Sequence, residues 1–205
     1  MTGPGKQNSP SVSEGSSKIS LSIAVPAYNE EALIAKTVEH LLETGRQWVL
    51  DLEVIVVNDG SSDRTTEIID QLAKEHENVH AFHQTPNKGF GATVRKGLEN
   101  ATKDVVTFCP ADHHFSNKEF EIYLMLIKHA DIVPGYRRER RRNQKLYPWM
   151  LSHYYHVLVN TLFRQELYDV NRIQMYHRDH LPQFIGKSDG VFSWPKPSSG
   201  RSGES

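Results

Sequence analysis

Short apolar runs that stop at polar turns, each followed by a helical pattern, recur along this chain. Ile19–Val25 predicts a first strand. Leu33, Ile34, Thr37, Val38, Leu41 and Leu42 then fall at the three- and four-residue spacing of one helix face. Glu53–Val57 is apolar after its first residue, the pattern of a strand buried on both faces. Ser62 or Asp63 can cap the next helix, whose apolar side is Ile68, Ile69 and Leu72. Val79–His83 predicts a short third strand. A glycine-rich stretch, Asn87–Ala92, opens a helix running to about Asn100. Asp104–Cys109 predicts a fourth strand, Lys118–His129 a helix, Asp131–Pro134 a fifth strand and Leu146–Phe163 a longer amphipathic helix. This alternation predicts an α/β fold with a mostly parallel sheet flanked by crossover helices.

Composition places limits on that picture. The chain has 205 residues, enough for one domain with a substantial core. Residues 1–17 and 193–205 are rich in Gly, Ser and Pro and are expected to be disordered, leaving a domain over 18–192. With 24 basic and 25 acidic side chains there is no general field for nucleic acid, so an anion site must be local. One cysteine, Cys109, excludes an internal disulfide framework and a CxxC metal site, and is expected to pack as a small apolar side chain. No apolar run approaches the roughly 18 residues of a spanning helix, and the N-terminus carries no apolar signal segment, so a cytoplasmic location is expected.

Chemistry concentrates at the strand ends, where parallel α/β sheets place their ligands. Pro26-Ala27-Tyr28-Asn29-Glu30 follows the first strand. Proline ends the pairing and lets Asn29 and Glu30 turn to a ligand, although Glu30 and Glu31 equally suit a helix first turn. Asp59 leaves the second strand with Gly60 behind it. It can accept from a base or a ribose hydroxyl, or merely form an Asp-Gly turn. Lys88 and Gly89 precede a helix whose backbone N–H groups suit phosphate, yet the stretch is neither a Walker loop nor GxGxxG. Asp112 and His114, after the fourth strand, are hard-cation ligand types or a plain polar turn. Beyond the fifth strand, Arg137–Arg142 holds five arginines in six positions. Arg137, nearest the strand tip, is the candidate phosphate grip and the others a solvated run.

Taken in order, Val25-Pro-Ala-Tyr-Asn-Glu-Glu31, Val57-Asn-Asp-Gly-Ser-Ser-Asp-Arg-Thr65, Asn87-Lys-Gly-Phe-Gly-Ala92, Ala111-Asp112 and Gly135-Tyr-Arg137 resemble the family 2 glycosyltransferases of the GT-A (Rossmann-like) fold. The resemblance is strongest to the dolichyl-phosphate mannose synthase-like, polyprenyl-phosphate branch. It covers about residues 19–190 and implies a UDP- or GDP-linked sugar as donor. Pro26, Ala27, Tyr28, Asn29 and Glu30 would line the nucleoside pocket, and Asp59 would meet the base or ribose. Lys88, Gly89 and Ala111 would lie along the nucleotide, with Arg137 on the phosphates. Asp112 would match the second carboxylate of the family's DxD motif and hold Mg²⁺ or Mn²⁺, with His114 beside it. Asp169, in Tyr168-Asp-Val-Asn171, and Asp189 are the acceptor-side base candidates. A polyprenyl-phosphate acceptor would bring the protein to a membrane surface as a peripheral partner.

Two departures are visible. The first DxD position is Pro110, so one carboxylate is missing, which weakens metal binding without excluding it. Ser188-Asp-Gly-Val-Phe192 resembles a segment normally followed by another strand and helix, but Ser, Pro and Gly follow here, so the acceptor half is expected to be truncated. The resemblance thus implies an inverting, metal-dependent transferase, with a catalytically impaired nucleotide-sugar binder as the alternative. QxxRW is absent, which argues against a processive polysaccharide synthase.

Overall fold

The computed structural model describes residues 17–112, 115–135 and 173–184. The expected helix at Leu146–Phe163 and both tails, apart from Ser17, lie outside them. The described elements run β1 (Ser17–Ala27), α1 (Ile34–Trp48), β2 (Val49–Asn58), α2 (Thr65–Glu75), β3 (Val79–His83), α3 (Phe90–Glu99), β4 (Val105–Phe108), α4 (Asn117–Ile127), β5 (Ile132–Pro134) and β6 (Gln174–His177), with a 3₁₀ turn at Arg178–His180 leading into α5 (Leu181–Phe184). They form one mixed sheet in the order β3-β2-β1-β4-β6-β5. β3, β2, β1 and β4 are parallel, whereas β6 runs antiparallel to both β4 and β5.

Strand alternation builds a core on each face. Leu21, Ile23, Val25 and Ala27 of β1 point to one side, where they join Ile34, Val38, Leu41 and Leu42 of α1 and Phe120, Leu124 and Ile127 of α4. Ala24 points to the other side, against Val94 and Leu98 of α3 and Phe108 and Tyr176 of the sheet. The pairs Ala27↔Asn58 and Ala24↔Phe108 bring the C-terminal ends of β2, β1 and β4 out along one edge. Register carries on past those ends. Asp59 N–H donates to the Ala27 carbonyl at 2.9 Å and Cys109 N–H to the Ala24 carbonyl at 2.8 Å.

The structure corrects several expectations. β1 begins at Ser17, inside the expected tail, and β2 begins at Val49, directly after α1. Leu33 lies before α1 and is 37% exposed, so it takes no part in the buried helix face. β6 falls in a region for which no strand was predicted. Cys109, by contrast, is fully buried as expected. Neither Ser62 nor Asp63 caps α2: the cap position is Arg64, with no side-chain cap bond, and Asp63, one residue earlier, makes a local turn in which its Oδ1 accepts from Thr65 N–H at 3.0 Å. α4 opens with a capping box in which Ser116 and Glu119 satisfy each other's backbone N–H.

Gly97 sets how closely α3 approaches the sheet. A Cβ there would stand 2.7 Å from the Ala24 Cβ. Both positions are interior, so neither can yield cheaply. Gly97→Ala gains about 1 kcal/mol of helix propensity, but forced overpacking costs about 1–3 kcal/mol. A net loss of stability in urea unfolding is expected. A variant as stable as the parent would contradict the close packing.

Candidate functional site

A cavity of about 580 Å³ opens where β1, β2 and β4 end, within the size range of small-molecule sites. Its wall comes from four segments: Pro26 and Ala27 at the end of β1, followed by Tyr28 and Glu30; Asp59 after β2; Asn87, Gly89, Phe90 and Thr93 at the start of α3; and Pro110, Ala111 and Asp112 after β4. Pro26 and Ala27 are the last residues of β1 and still pair with Val57 and Asn58, so the proline does not end the pairing as expected. Residues far apart in the chain meet here because parallel strands all point the same way. Asp59 and Asp112 share this one cavity.

Asp59 is 3% exposed and already well bound. Its Oδ1 accepts from Lys88 N–H at 2.8 Å and from Gln84 Nε2 at 2.9 Å, and its Oδ2 accepts from Gly89 N–H at 2.9 Å. Gln84 also donates to Thr93 Oγ1 at 2.7 Å, and that hydroxyl donates to the Gly89 carbonyl at 2.9 Å. The Asp59 carboxylate therefore anchors the loop ahead of α3, with lone-pair capacity left over toward the cavity. This changes the reading of Lys88 and Gly89: their N–H groups are spent on Asp59 rather than open to a phosphate. Gly60 and Gly89 turn the chain with φ of +73° and +85°. A side chain at Gly60 would also press on Asn87 N and the Gln84 carbonyl at 3.2 Å.

The electrostatics of the cavity are one-sided. Its described wall carries three carboxylates, Glu30, Asp59 and Asp112, and no lysine or arginine. Burial, then the negative charges of Asp112 and Asp63, push the Glu30 carboxyl above its ordinary range. Glu30 and Asp112 thus repel across the cavity, and a cation between them would relieve the repulsion. Burial, and secondarily the Asp112 charge, also push the Cys109 thiol up to about 12, so it stays protonated and inert. Among the described residues no three His, Cys, Asp or Glu side chains form a complete metal centre. Hard oxygen donors do suit Mg²⁺ or Mn²⁺, which commonly complete their shell with water and substrate phosphate.

Not every candidate reaches the wall. Asn29 does not line the cavity. It adopts φ +55° and its Oδ1 accepts from Ser62 N–H at 2.8 Å, tying two loops together. The Lys88 side chain points to solvent. His114, Arg137, Asp169 and Asp189 lie outside the described residues. Conversely, Asn87, Phe90, Thr93 and Pro110 line the cavity though none was a candidate. Phe90 is 49% exposed at the first turn of α3, with its ring edge-on to Phe108 at 6.2 Å. A large apolar residue directly after a helix-opening glycine was the signal available for it.

The model of the family described as glycosyl transferase family 2 matches residues 22–184. The chain belongs to this family. Family 2 relatives include a dolichyl-phosphate beta-glucosyltransferase of Trichomonas vaginalis, 30% identical over 136 residues, covering 61% of this chain and 42% of the relative. An undecaprenyl-phosphate 4-deoxy-4-formamido-L-arabinose transferase of Photorhabdus laumondii is 29% identical over 124 residues, covering 60% of this chain and 38% of its own. The chain therefore spans less than half the length of these curated relatives. Among solved structures, a mannosyltransferase of Pyrobaculum calidifontis in complex with GDP-Man and Mn²⁺ matches with a TM-score of 0.57 at 19% identity, covering 81% of this chain and 46% of its own. Glucosyl-3-phosphoglycerate synthase of Mycobacterium tuberculosis in complex with UDP matches with a TM-score of 0.59 at 18% identity, covering 81% and 59%. At such identities these two establish the fold, which is GT-A.

Proposed function

We propose that this family 2 chain binds a UDP- or GDP-linked sugar in the cavity above β1, β2 and β4 and transfers the sugar, with inversion, to a polyprenyl-phosphate acceptor at a membrane surface. One observation carries the reading: three strand ends converge on a single cavity whose described wall is acidic and lacks any basic side chain. The uncharged nucleoside suits the Asp59 side, between the exposed Tyr28 and Phe90 rings. The diphosphate needs positive charge, which the described wall does not supply. Asp112 and Glu30 would hold a divalent cation there, with His114 beside it, and Arg137 would add a guanidinium. The cation, when bound, neutralises charge on the leaving diphosphate. A phosphate acceptor is itself anionic and needs little base help, while Asp169 or Asp189 would serve a hydroxyl acceptor.

The names of the relatives support a polyprenyl-phosphate acceptor, and the Mn²⁺ and GDP-Man bound to the Pyrobaculum enzyme support donor and metal. Among the described residues no helix is long and apolar enough to cross a membrane. A second reading, a nucleotide-sugar binder without transfer, draws on Pro110 in the cavity wall, which stands where a first metal-binding carboxylate would be.

Calorimetric titration of UDP and GDP, with and without Mn²⁺, tests the donor site. Tight binding only with Mn²⁺ is expected, and Asp112→Ala should abolish the metal dependence while the fold survives. Equal affinity with and without Mn²⁺, in both proteins, would reject the metal role. Release of sugar or transfer to a short-chain polyprenyl phosphate separates the transferase from the binder.

A further inference from the structure

The loop after β1 and the loop after β2 are held together as one body. Five backbone N–H groups donate across the gap between them: Asn29 to Ser61 Oγ at 2.9 Å, Ser62 to Asn29 Oδ1 at 2.8 Å, Glu30 to Thr65 Oγ1 at 2.8 Å, Glu31 to Asp63 Oδ2 at 3.2 Å and Arg64 to Glu31 Oε2 at 3.1 Å. Most of these groups are wet. Thr65 is the exception, with no exposed surface at all. Its hydroxyl donates to Asp63 Oδ1 at 2.5 Å while accepting from Glu30 N–H, so its hydrogen is committed and its orientation fixed. A bond shielded from water counts for more than its solvated neighbours.

Glu30 is pinned from both sides as a result. Its N–H goes to Thr65, and its carbonyl accepts from Leu33 N–H at 3.0 Å and Ile34 N–H at 2.9 Å, the start of α1. Only its side chain remains free to adjust, and that side chain faces the cavity opposite Asp112. We infer that Thr65, which touches no ligand site itself, is a positioning residue. Through its hydroxyl it sets where Tyr28 and Glu30 stand relative to Asp59 and Asp112, and so governs affinity for the nucleoside diphosphate and its cation. This rests on the nucleotide-sugar reading of the cavity. The loop coupling itself does not.

Thr65→Val keeps the shape and removes the hydroxyl, whereas Thr65→Ser keeps the hydroxyl. Calorimetry with UDP and GDP in the presence of Mn²⁺ is expected to show about tenfold weaker binding for Val, as loss of one shielded hydrogen bond would give, and near-parental binding for Ser. Hydrogen exchange read by mass spectrometry should show residues 29–34 and 61–65 becoming faster together in Val, with β1 and β2 unchanged. If Val does not fold, Asn29→Gly, which keeps the positive φ and removes the Ser62 acceptor, should show the same paired change. Parental affinity in Val, no recovery in Ser, or faster exchange in one loop alone overturns the inference. Absence of nucleotide binding by the parent protein sinks the nucleotide reading instead, and the exchange result then decides the coupling by itself.

Discussion

Glu53→Ala is expected to cost about 3–4 kcal/mol of folding stability, the sum of several buried donors left without an acceptor. Glu53 is 3% exposed, in the middle of β2 and away from the cavity. Its Oε1 accepts from Ser22 Oγ at 2.5 Å and Thr102 N–H at 2.6 Å, and its Oε2 from Thr102 Oγ1 at 2.9 Å. Lys103 N–H in turn donates to Ser22 Oγ at 3.1 Å. This carboxylate fastens the turn between α3 and β4 to the centre of the sheet. Burial alone would raise its pKa, but the bonds from Ser22 and Thr102 and the nearby Lys103 charge outweigh that and hold it below the ordinary range. A lowered folded-state pKa gives a definite sign. The contribution is fully present above the ordinary glutamate range, fades as pH falls through it, and is gone below the folded value. Urea unfolding of parent and Glu53→Gln between neutral and strongly acidic pH should therefore show a stability gap that narrows as pH falls. A gap that stays constant with pH would show that the carboxylate's charge contributes nothing.

Asp59→Asn is expected to weaken UDP and GDP binding at least about tenfold, a loss of roughly 1.4 kcal/mol or more. An amide has one acceptor oxygen where the carboxylate has two. Its NH₂ would be turned either on Gly89 N–H, or on Lys88 N–H and Gln84 Nε2, which already donate. The loop ahead of α3 would lose its anchor, and with it the placement of Asn87, Gly89 and Phe90 in the cavity wall. Titration calorimetry reads the affinity, and thermal unfolding reads the smaller stability change. Unaltered nucleotide affinity would mean that the anchored loop takes no part in the site.

The strands that form the cavity floor were legible because buried parallel strands read as continuous apolar runs with abrupt polar ends. Val54–Val57 has no competing interpretation, and the polar residues after it had to leave the sheet. Strand bounds were less legible. Asp51 and Glu53 interrupt the apolar residues at the start of β2, which hid the first four of its ten residues. β6 is four residues containing Gln, Tyr and His. It exists because β4 and β5 pair with it on both sides, a long-range condition with no local trace. Glu53 read as the polar first residue of a strand, and only its distant partners at Ser22 and Thr102 make it a buried anchor.

The candidate site divides along the same line. Residue order alone placed Pro26, Tyr28, Glu30, Asp59 and Asp112 at strand ends, because alternating strands and helices dictate where the chain turns. It also brought the family resemblance, since the turn motifs are contiguous. Tertiary structure alone decided that Asp59 spends its carboxylate on Lys88, Gly89 and Gln84, that Asn29 ties loops instead of lining the wall, and that Phe90 and Thr93 enter it. Periodicity reports which way a side chain faces along its own element. Which hydrogen-bond partner it meets depends on how closely separate elements approach, and here the Gly97–Ala24 contact and the shared edge of β1, β2 and β4 set that distance.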